Sequence, residues 1–167
     1  MLFGGYSPSS LLLLADTWEY HVNLVTATFT PFGTGCPGQP GIPTLTNEAG
    51  SLPYLCENFT VRMDNMRNGP FYVGIMTIGT SNTAWGAIPL PVPLAFLGMP
   101  GCDLRTDPLM MLFLGNQGGF CRLPLPVPGV PTLVGGSLYF QGLVYDPAAN
   151  AMGLASTAGA QATIGMR

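Results

Sequence analysis

Glycine and proline are distributed along the whole chain, and this distribution limits the possible folds more than any other feature. The 167 residues include 23 glycines and 17 prolines, and few long windows lack both. Proline cannot donate a backbone hydrogen bond and clashes with the preceding helical turn, so it ends or kinks a helix. We therefore expect no long helices, and the short apolar runs between glycines and prolines become the candidate strands.

Several of these runs have the periodicity of β-strands. In residues 57–64, Phe59, Val61 and Met63 alternate with polar or charged residues, which is the pattern of a half-buried strand. Other runs are more uniformly apolar, as is typical of central strands, and one near the C-terminus resembles a closing strand. These further candidates lie at 69–79, 109–115, 135–146 and 160–165. Turn-forming segments separate the runs, which predicts an all-β, antiparallel β-sandwich of Ig-like or jelly-roll-like type.

Two segments nearly repeat each other, and in both of them prolines alternate with Leu or Val. They are "IPLPVPL" at 88–94 and "LPLPVPG" at 123–129. Backbone N–H groups alternate sides along an extended chain, so the prolines remove donors from one edge only. This pattern predicts Pro-rich edge strands that are protected against aggregation. A polyproline recognition motif is the alternative, but the apolar residues between the prolines argue against it.

The low charge of the chain excludes some functions. Apolar residues make up 47% of the sequence and charged residues 8%, there is no lysine, and the net charge is −3. Nucleic-acid binding needs clustered basic residues, so we expect no nucleic-acid partner. The longest apolar run, at 11–15, is too short for a transmembrane segment. Weak charge gives little repulsion between copies, so self-association or attachment to a larger body remains open.

The four cysteines indicate the compartment. Cys36, Cys56, Cys102 and Cys121 form an even set without the closely spaced pairs of a zinc site. Two disulfides are therefore favoured over a metal site, and three pairings are possible. Disulfides predict an extracellular, cell-surface or periplasmic location. Residues 1–15 lack the basic start of a signal peptide, however, so no export signal is visible.

Residues suited to catalysis are sparse. His21 is the only histidine, so a hydrolase would have to use it, but an exposed polar residue is the favoured interpretation. Asp103 and Asp107 could help to hold calcium, although a solvated turn is favoured there. Motifs for nucleotides, phosphate or catalytic zinc do not occur. We therefore predict no enzyme activity, no catalytic residues, no cofactor and no metal.

Trp85 is the best candidate for a ligand contact. It lies in "SNTAWGAIPLP", just before the first proline-rich segment. Exposed aromatic rings can stack on sugar rings, which suggests a carbohydrate-binding module as an alternative function. The competing and favoured interpretation is that Trp85 packs against the Pro-Leu strand that follows it.

Ordered motifs across most of the chain resemble one family. "GTGCPG", "SNTAWG" with the Leu-Pro-rich segment after it, "PGC", and "QGLVYDPAAN" follow one another between residues 32 and 165. In this order they resemble a β-rich C-terminal module of exported proteins from planctomycetes and some myxobacteria-like bacteria. The resemblance implies export and a non-catalytic structural or attachment role. The partner is left open among other surface proteins, further copies of the chain and glycans.

The first thirty residues resemble the end of a kelch repeat. Gly4 and Gly5 follow an apolar strand, and Trp18 and Tyr20 come downstream. One partial blade cannot close a propeller. The resemblance therefore implies two parts, a partial kelch-like hairpin or remnant at 1–30 and the sandwich at 31–167. It also leads us to expect a truncated N-terminus, which would explain the missing export signal.

The resemblance also implies a disulfide pairing. Cys36 and Cys102 stand in the "GTGCPG" and "PGC" motifs, so they are expected to pair with each other. Cys56 and Cys121 lie outside the family motifs, which suggests a second bridge particular to this chain.

Overall fold

The computed structural model describes residues 24–167 and the backbone of two N-terminal strands, Leu2–Tyr6 (β1) and Leu13–Trp18 (β2). These two strands pair antiparallel. The kelch-like origin of this hairpin stays a prediction, and His21 lies outside the described residues.

Short strands make up most of the remaining regular structure. They are Thr28–Phe32 (β3), Thr44–Asn47 (β4), Asn58–Asp64 (β5), Gly74–Gly79 (β6), Ala84–Trp85 (β7), Ile88–Pro89 (β8), Val92–Pro93 (β9), Asp103–Leu104 (β10), Met110–Leu114 (β11), Cys121–Pro126 (β12), Ser137–Tyr145 (β13) and Leu154–Thr163 (β14). Two single-turn 3-10 helices, Ala95–Leu97 and Pro131–Leu133, are the helices of the described part. The spacing of glycine and proline explains why the helices are so short.

Two antiparallel sheets pack face to face, which confirms the predicted all-β sandwich. The larger sheet has the strand order β11-β6-β13-β14-β3, and the smaller has the order β12-β5-β4. Their facing side chains form one apolar core. At its centre the rings of Phe29, Phe59 and Phe140 have centroids 5.5–6.2 Å apart. Each aromatic ring removes a large apolar area from water, so this trio anchors the two sheets to each other.

The outer face of the larger sheet is also covered. Residues 80–107, which we call the covering segment, form the β7–β8 and β9–β10 hairpins. Leu94 and Met99 of this segment pack against Leu143 and Leu154 of the sheet. Alternate residues of a strand point to opposite faces. β13 therefore contributes Phe140 to the sandwich core, whereas Gln141 and Leu143 contact the covering segment.

The expected strands differ from the observed ones in three places. β5, β6, β11 and β13 fall within the predicted runs, whereas β14 begins at Leu154, before the predicted start at residue 160. β12 is an edge strand, as its prolines predict. The other proline-rich segment, 88–94, is not one strand, because β8 pairs with β7 while β9 pairs with β10. β11 is an edge strand rather than the expected central strand.

The sandwich begins before residue 31. β3 pairs with β14 from Thr28 onwards, and the backbone N–H of Met166 donates to the carbonyl oxygen of Val25 at 2.9 Å. The boundary expected after residue 30 therefore falls inside a strand of the larger sheet.

Candidate functional site

One disulfide joins the covering segment to the rest of the fold. Cys36 and Cys102, the pair that the resemblance implies, are bonded with a Cα–Cα distance of 5.0 Å and a sequence separation of 66. Cys36 precedes the smaller sheet in the chain, and its amide donates to the carbonyl oxygen of Ser156 in β14 at 2.9 Å. The bridge therefore fastens the covering segment over the larger sheet.

The expected second bridge, Cys56–Cys121, is not formed, and both residues are free thiols. Cys121 starts β12, whereas the amide of Cys56 donates to the carbonyl oxygen of Val127, beyond the other end of that strand. Six residues of extended chain separate these points by about 20 Å. A disulfide needs Cα atoms closer than about 7 Å, so the two thiols cannot meet without moving the backbone.

The two thiols have different environments. Cys56 is exposed, while Cys121 is wholly buried in the sandwich core. Burial, with a smaller effect from the negative charge of Asp64, raises the pKa of Cys121 to about 11. The thiolate is the reactive form of cysteine, so Cys121 is a structural residue of the core.

The carboxylates proposed for calcium are held by protein donors. Asp103 forms an ion pair with Arg105 at 2.7 Å. Asp107 is buried and accepts hydrogen bonds from the amide of Ser81 at 2.7 Å and the hydroxyl of Thr80 at 3.3 Å. Across residues 24–167, acidic, cysteine and histidine side chains do not gather in groups of three that could hold a metal ion. Asp103 and Asp107 thus hold parts of the covering segment to one another.

Trp85 lies at the surface of the β7–β8 hairpin. Its side chain is 45% exposed, and its partner across the hairpin is Ile88, which is also exposed. None of the aromatic ring pairs within residues 24–167 includes Trp85. The ring is thus available for contact, but it stands without the second coplanar aromatic ring that many sugar platforms use.

The most conspicuous apolar surface is the β11 edge. Leu109, Met110, Met111 and Phe113, which we call the β11 patch, are 66%, 53%, 49% and 75% exposed. Residues 108–115 contain no charged side chain. β11 pairs only with β6 among the described residues, in an unbroken register. Its other side therefore presents backbone donors and acceptors to solvent beside apolar side chains.

The remaining edges of the two sheets are protected in ways that β11 is not. β12 carries Pro124 and Pro126, which have no N–H to offer on the open side. β3 contains Pro31, and β4 has only four residues. Prolines and short strands are the usual means of blocking edge-to-edge pairing. β11 is the one long sheet edge in residues 24–167 that lacks them.

An apolar cavity of about 440 Å³ opens between the two sheets, next to the β11 patch. Met110 belongs to both. The cavity is lined by Phe59, Ile78, Met110, Leu125, Leu138 and Ile164 among others, with Ser137 as its one polar side chain. No charged group lines it, so it offers nothing to activate a substrate and could accept only apolar groups.

Neither protein-family models nor curated proteins match this chain. No helix in the part of the chain that the structure describes is long and apolar enough to cross a membrane. The sequence did contain the signal for the β11 patch, since "LMMLFL" is the longest run of large apolar residues after position 100. Apolar runs on both faces are typical of central strands, and this is why the segment was expected at the centre of a sheet.

Proposed function

We propose that this chain is a non-catalytic, exported structural or attachment module of a bacterial cell-surface or secreted protein. The observation that carries the proposal is the β11 patch, an uncharged apolar edge on a sandwich whose other edges are protected. Exposed apolar surface of this kind usually marks an interaction site. The module would act by holding its protein to a surface or assembly through this edge.

The compartment is supported by the disulfide and by the resemblance to exported modules. Disulfides persist in oxidising compartments, and Cys36–Cys102 closes a long loop. The non-catalytic role is supported by the use of the carboxylates. Asp64 and Asp103 are paired with arginines, and Asp146 accepts the amide of Gln39 at 2.5 Å. Groups that fix the fold in this way are not free for acid or base chemistry.

Cell fractionation tests the attachment role. The tagged chain, preceded by a signal peptide, would be produced in a planctomycete host, and its distribution between envelope and medium measured. We expect the wild type in the envelope fraction and the Met111→Lys/Phe113→Lys variant in the medium, because two lysines block pairing at an edge. The matched control, Thr44→Lys/Thr46→Lys, adds the same charges at the same spacing on exposed positions of β4. Equal retention of all three proteins would contradict the proposal.

Carbohydrate binding through Trp85 is the second candidate, and the exposure of its ring favours it. A glycan array probed with the wild type and with Trp85→Ala separates this candidate from the first. Binding that disappears in Trp85→Ala would support it. If the wild type binds no glycan, or if Trp85→Ala binds equally well, the carbohydrate hypothesis is wrong.

A further inference from the structure

We propose that a second copy of this chain occupies the β11 edge, so that two β11 strands pair antiparallel around a two-fold axis. This inference rests on the proposed function, because it names the partner of the same surface. It joins two five-stranded sheets into one continuous ten-stranded sheet. The backbone donors and acceptors on the open side of β11 then bond to those of the other copy, as in other cases of strand addition.

The sequence of β11 is complementary to itself in this orientation. A two-fold axis at Leu112 places Leu112 opposite its own counterpart and Met111 opposite Phe113 of the partner subunit. Opposite residues of an antiparallel pair lie on the same face with Cβ atoms about 5 Å apart. Met110, Met111 and Phe113 thus each meet an apolar side chain of the other copy, whereas Leu109 lies opposite a glycine. If the second copy were shifted by one residue, its Met111 and Phe113 would lie on the opposite face of the joined sheet from those of the first copy.

The charge distribution favours a second copy as the occupant. The chain has a net charge of −3, and none of its charged residues lies in 108–115. Two copies can therefore approach along β11 without placing like charges opposite each other, which is the usual obstacle to self-pairing. Asp107, the nearest acidic residue in sequence, is buried and faces Ser81.

The protected edges explain why pairing would stop at two copies. A surface that pairs with itself around a two-fold axis closes after one contact, whereas two different sticky surfaces produce open chains. The larger sheet ends in β3, where Pro31 interrupts the edge, and the smaller sheet ends in the proline-bearing β12. One open edge among residues 24–167 gives a dimer and not a fibre.

Sedimentation velocity of the purified chain across a range of concentrations tests the inference. We expect the wild type to show a monomer–dimer equilibrium. Met111→Lys/Phe113→Lys places lysines opposite lysines at two positions and should raise the dimer dissociation constant by about tenfold or more. Met111→Lys/Phe113→Glu places each lysine opposite a glutamate of the other copy and should recover part of this loss. Thr44→Lys/Thr46→Lys should leave the dissociation constant unchanged.

Cysteine crosslinking tests the register. In a Cys56→Ser background, Leu112→Cys places two thiols directly opposite each other, with Cα atoms about 4.5–5.5 Å apart. This distance suits a disulfide, so mild oxidation should produce a covalent dimer. Met111→Cys is the control, because its counterpart in the other copy lies two residues away in register. Equal crosslinking of both variants would overturn the register about Leu112.

The outcomes separate this inference from the proposed function. A wild type that remains monomeric at every concentration overturns the second copy as the partner, even if Met111→Lys/Phe113→Lys still leaves the cell envelope. In that case a different protein occupies the edge. Conversely, dimerisation of the purified chain together with unchanged envelope retention of the lysine variant supports the dimer and contradicts attachment through β11.

Discussion

Gly79 allows the covering segment to approach β6 more closely than any side chain would permit. A Cβ atom at this position would collide with both the carboxylate and the backbone carbonyl of Asp107. The carboxylate of Asp107 accepts a hydrogen bond from the backbone amide of Ser81. This bond joins the two ends of the covering segment to each other. The requirement at residue 79 is therefore space and not an unusual backbone angle.

The Gly79→Ala variant should be less stable than the wild type by about 1–3 kcal/mol, as is usual when a methyl group is forced into a packed site. The backbone carbonyl of Asp107 cannot turn away from the new atom as the end of a flexible side chain could. Urea denaturation followed by circular dichroism measures the change. Gly115→Ala is the matched control, since a Cβ there meets no atom within 4 Å. Equal losses in the two variants would contradict the close-approach argument.

The two free thiols should react very differently. With its pKa raised to about 11, Cys121 stays protonated in the folded protein at pH 8. Maleimide labelling at that pH should modify Cys56 alone, and Cys121 should react only in urea. The Cys56→Ser variant is the control and should remain unlabelled when folded. Labelling of Cys121 at the rate of Cys56 would show that the core opens readily.

The same shift in pKa has a consequence for stability. Because the folded-state pKa of Cys121 lies above the ordinary value of 9.0, folding favours the protonated thiol. Its contribution is complete below pH 9 and is lost as the pH rises from 9 towards 11. The free energy of unfolding should therefore fall over this range, and Cys121→Ala should reduce that fall.

At the level of elements, Gln141 joins the larger sheet to the covering segment. It is wholly buried on β13 and faces away from the sandwich core. Its side-chain amide donates to the carbonyl oxygens of Asp103 at 2.8 Å and Thr157 at 3.2 Å, and its oxygen accepts the amide of Arg105 at 2.8 Å. One polar side chain thus satisfies three backbone groups, two in the covering segment and one in β14.

Replacing this side chain by a leucine should cost about 2–4 kcal/mol, because three buried or partly buried backbone groups would lose their partner while the volume stays similar. Gln117→Leu is the control, since Gln117 is exposed, and its change should stay within about 0.5 kcal/mol. Chemical denaturation measures both variants. A Gln141→Leu protein as stable as the wild type would mean that these backbone groups find other partners.

The strands differ in how well the sequence predicts them. β5 was predictable because large apolar residues alternate with polar ones, and this alternation matches a strand with one buried face. The first half of β14 was not, because the alanines and the glycine in it have weak strand propensity. These small residues are required by what packs on them. A side chain at Gly159, for example, would overlap the ring of Phe32 on β3.

The β11 patch is a second case in which the sequence does not predict the position of a strand. Its apolar composition was visible in the sequence, but the neighbour of a strand is decided by pairing between distant segments. β11 pairs with β6, more than thirty residues earlier in the chain, and no strand lies on its other side among the described residues. Composition alone cannot distinguish such an edge from a central strand. The Cys56–Cys121 bridge was wrong for the same reason, since strand pairing places the two thiols at opposite ends of β12.

For the molecule as a whole, the position at which the sandwich begins follows from β3. The five residues of β3 form the edge of the larger sheet opposite β11. Phe29 of this strand belongs to the aromatic trio in the sandwich core. A chain that starts at residue 31 lacks Phe29 and most of the pairing with β14. A chain that starts at residue 24 retains both.

The 24–167 chain should therefore be more stable than the 31–167 chain by at least about 3 kcal/mol, the usual cost of removing a packed phenylalanine. Thermal unfolding followed by circular dichroism compares the two chains. The Phe29→Ala variant of the 24–167 chain separates the contribution of the ring from that of the backbone pairing. Its stability should lie between those of the 24–167 and 31–167 chains. Loss of β3 also exposes β14 as an unprotected edge, so the 31–167 chain should aggregate at lower concentration. Equal stability of 24–167 and 31–167 would place the start of the sandwich after β3.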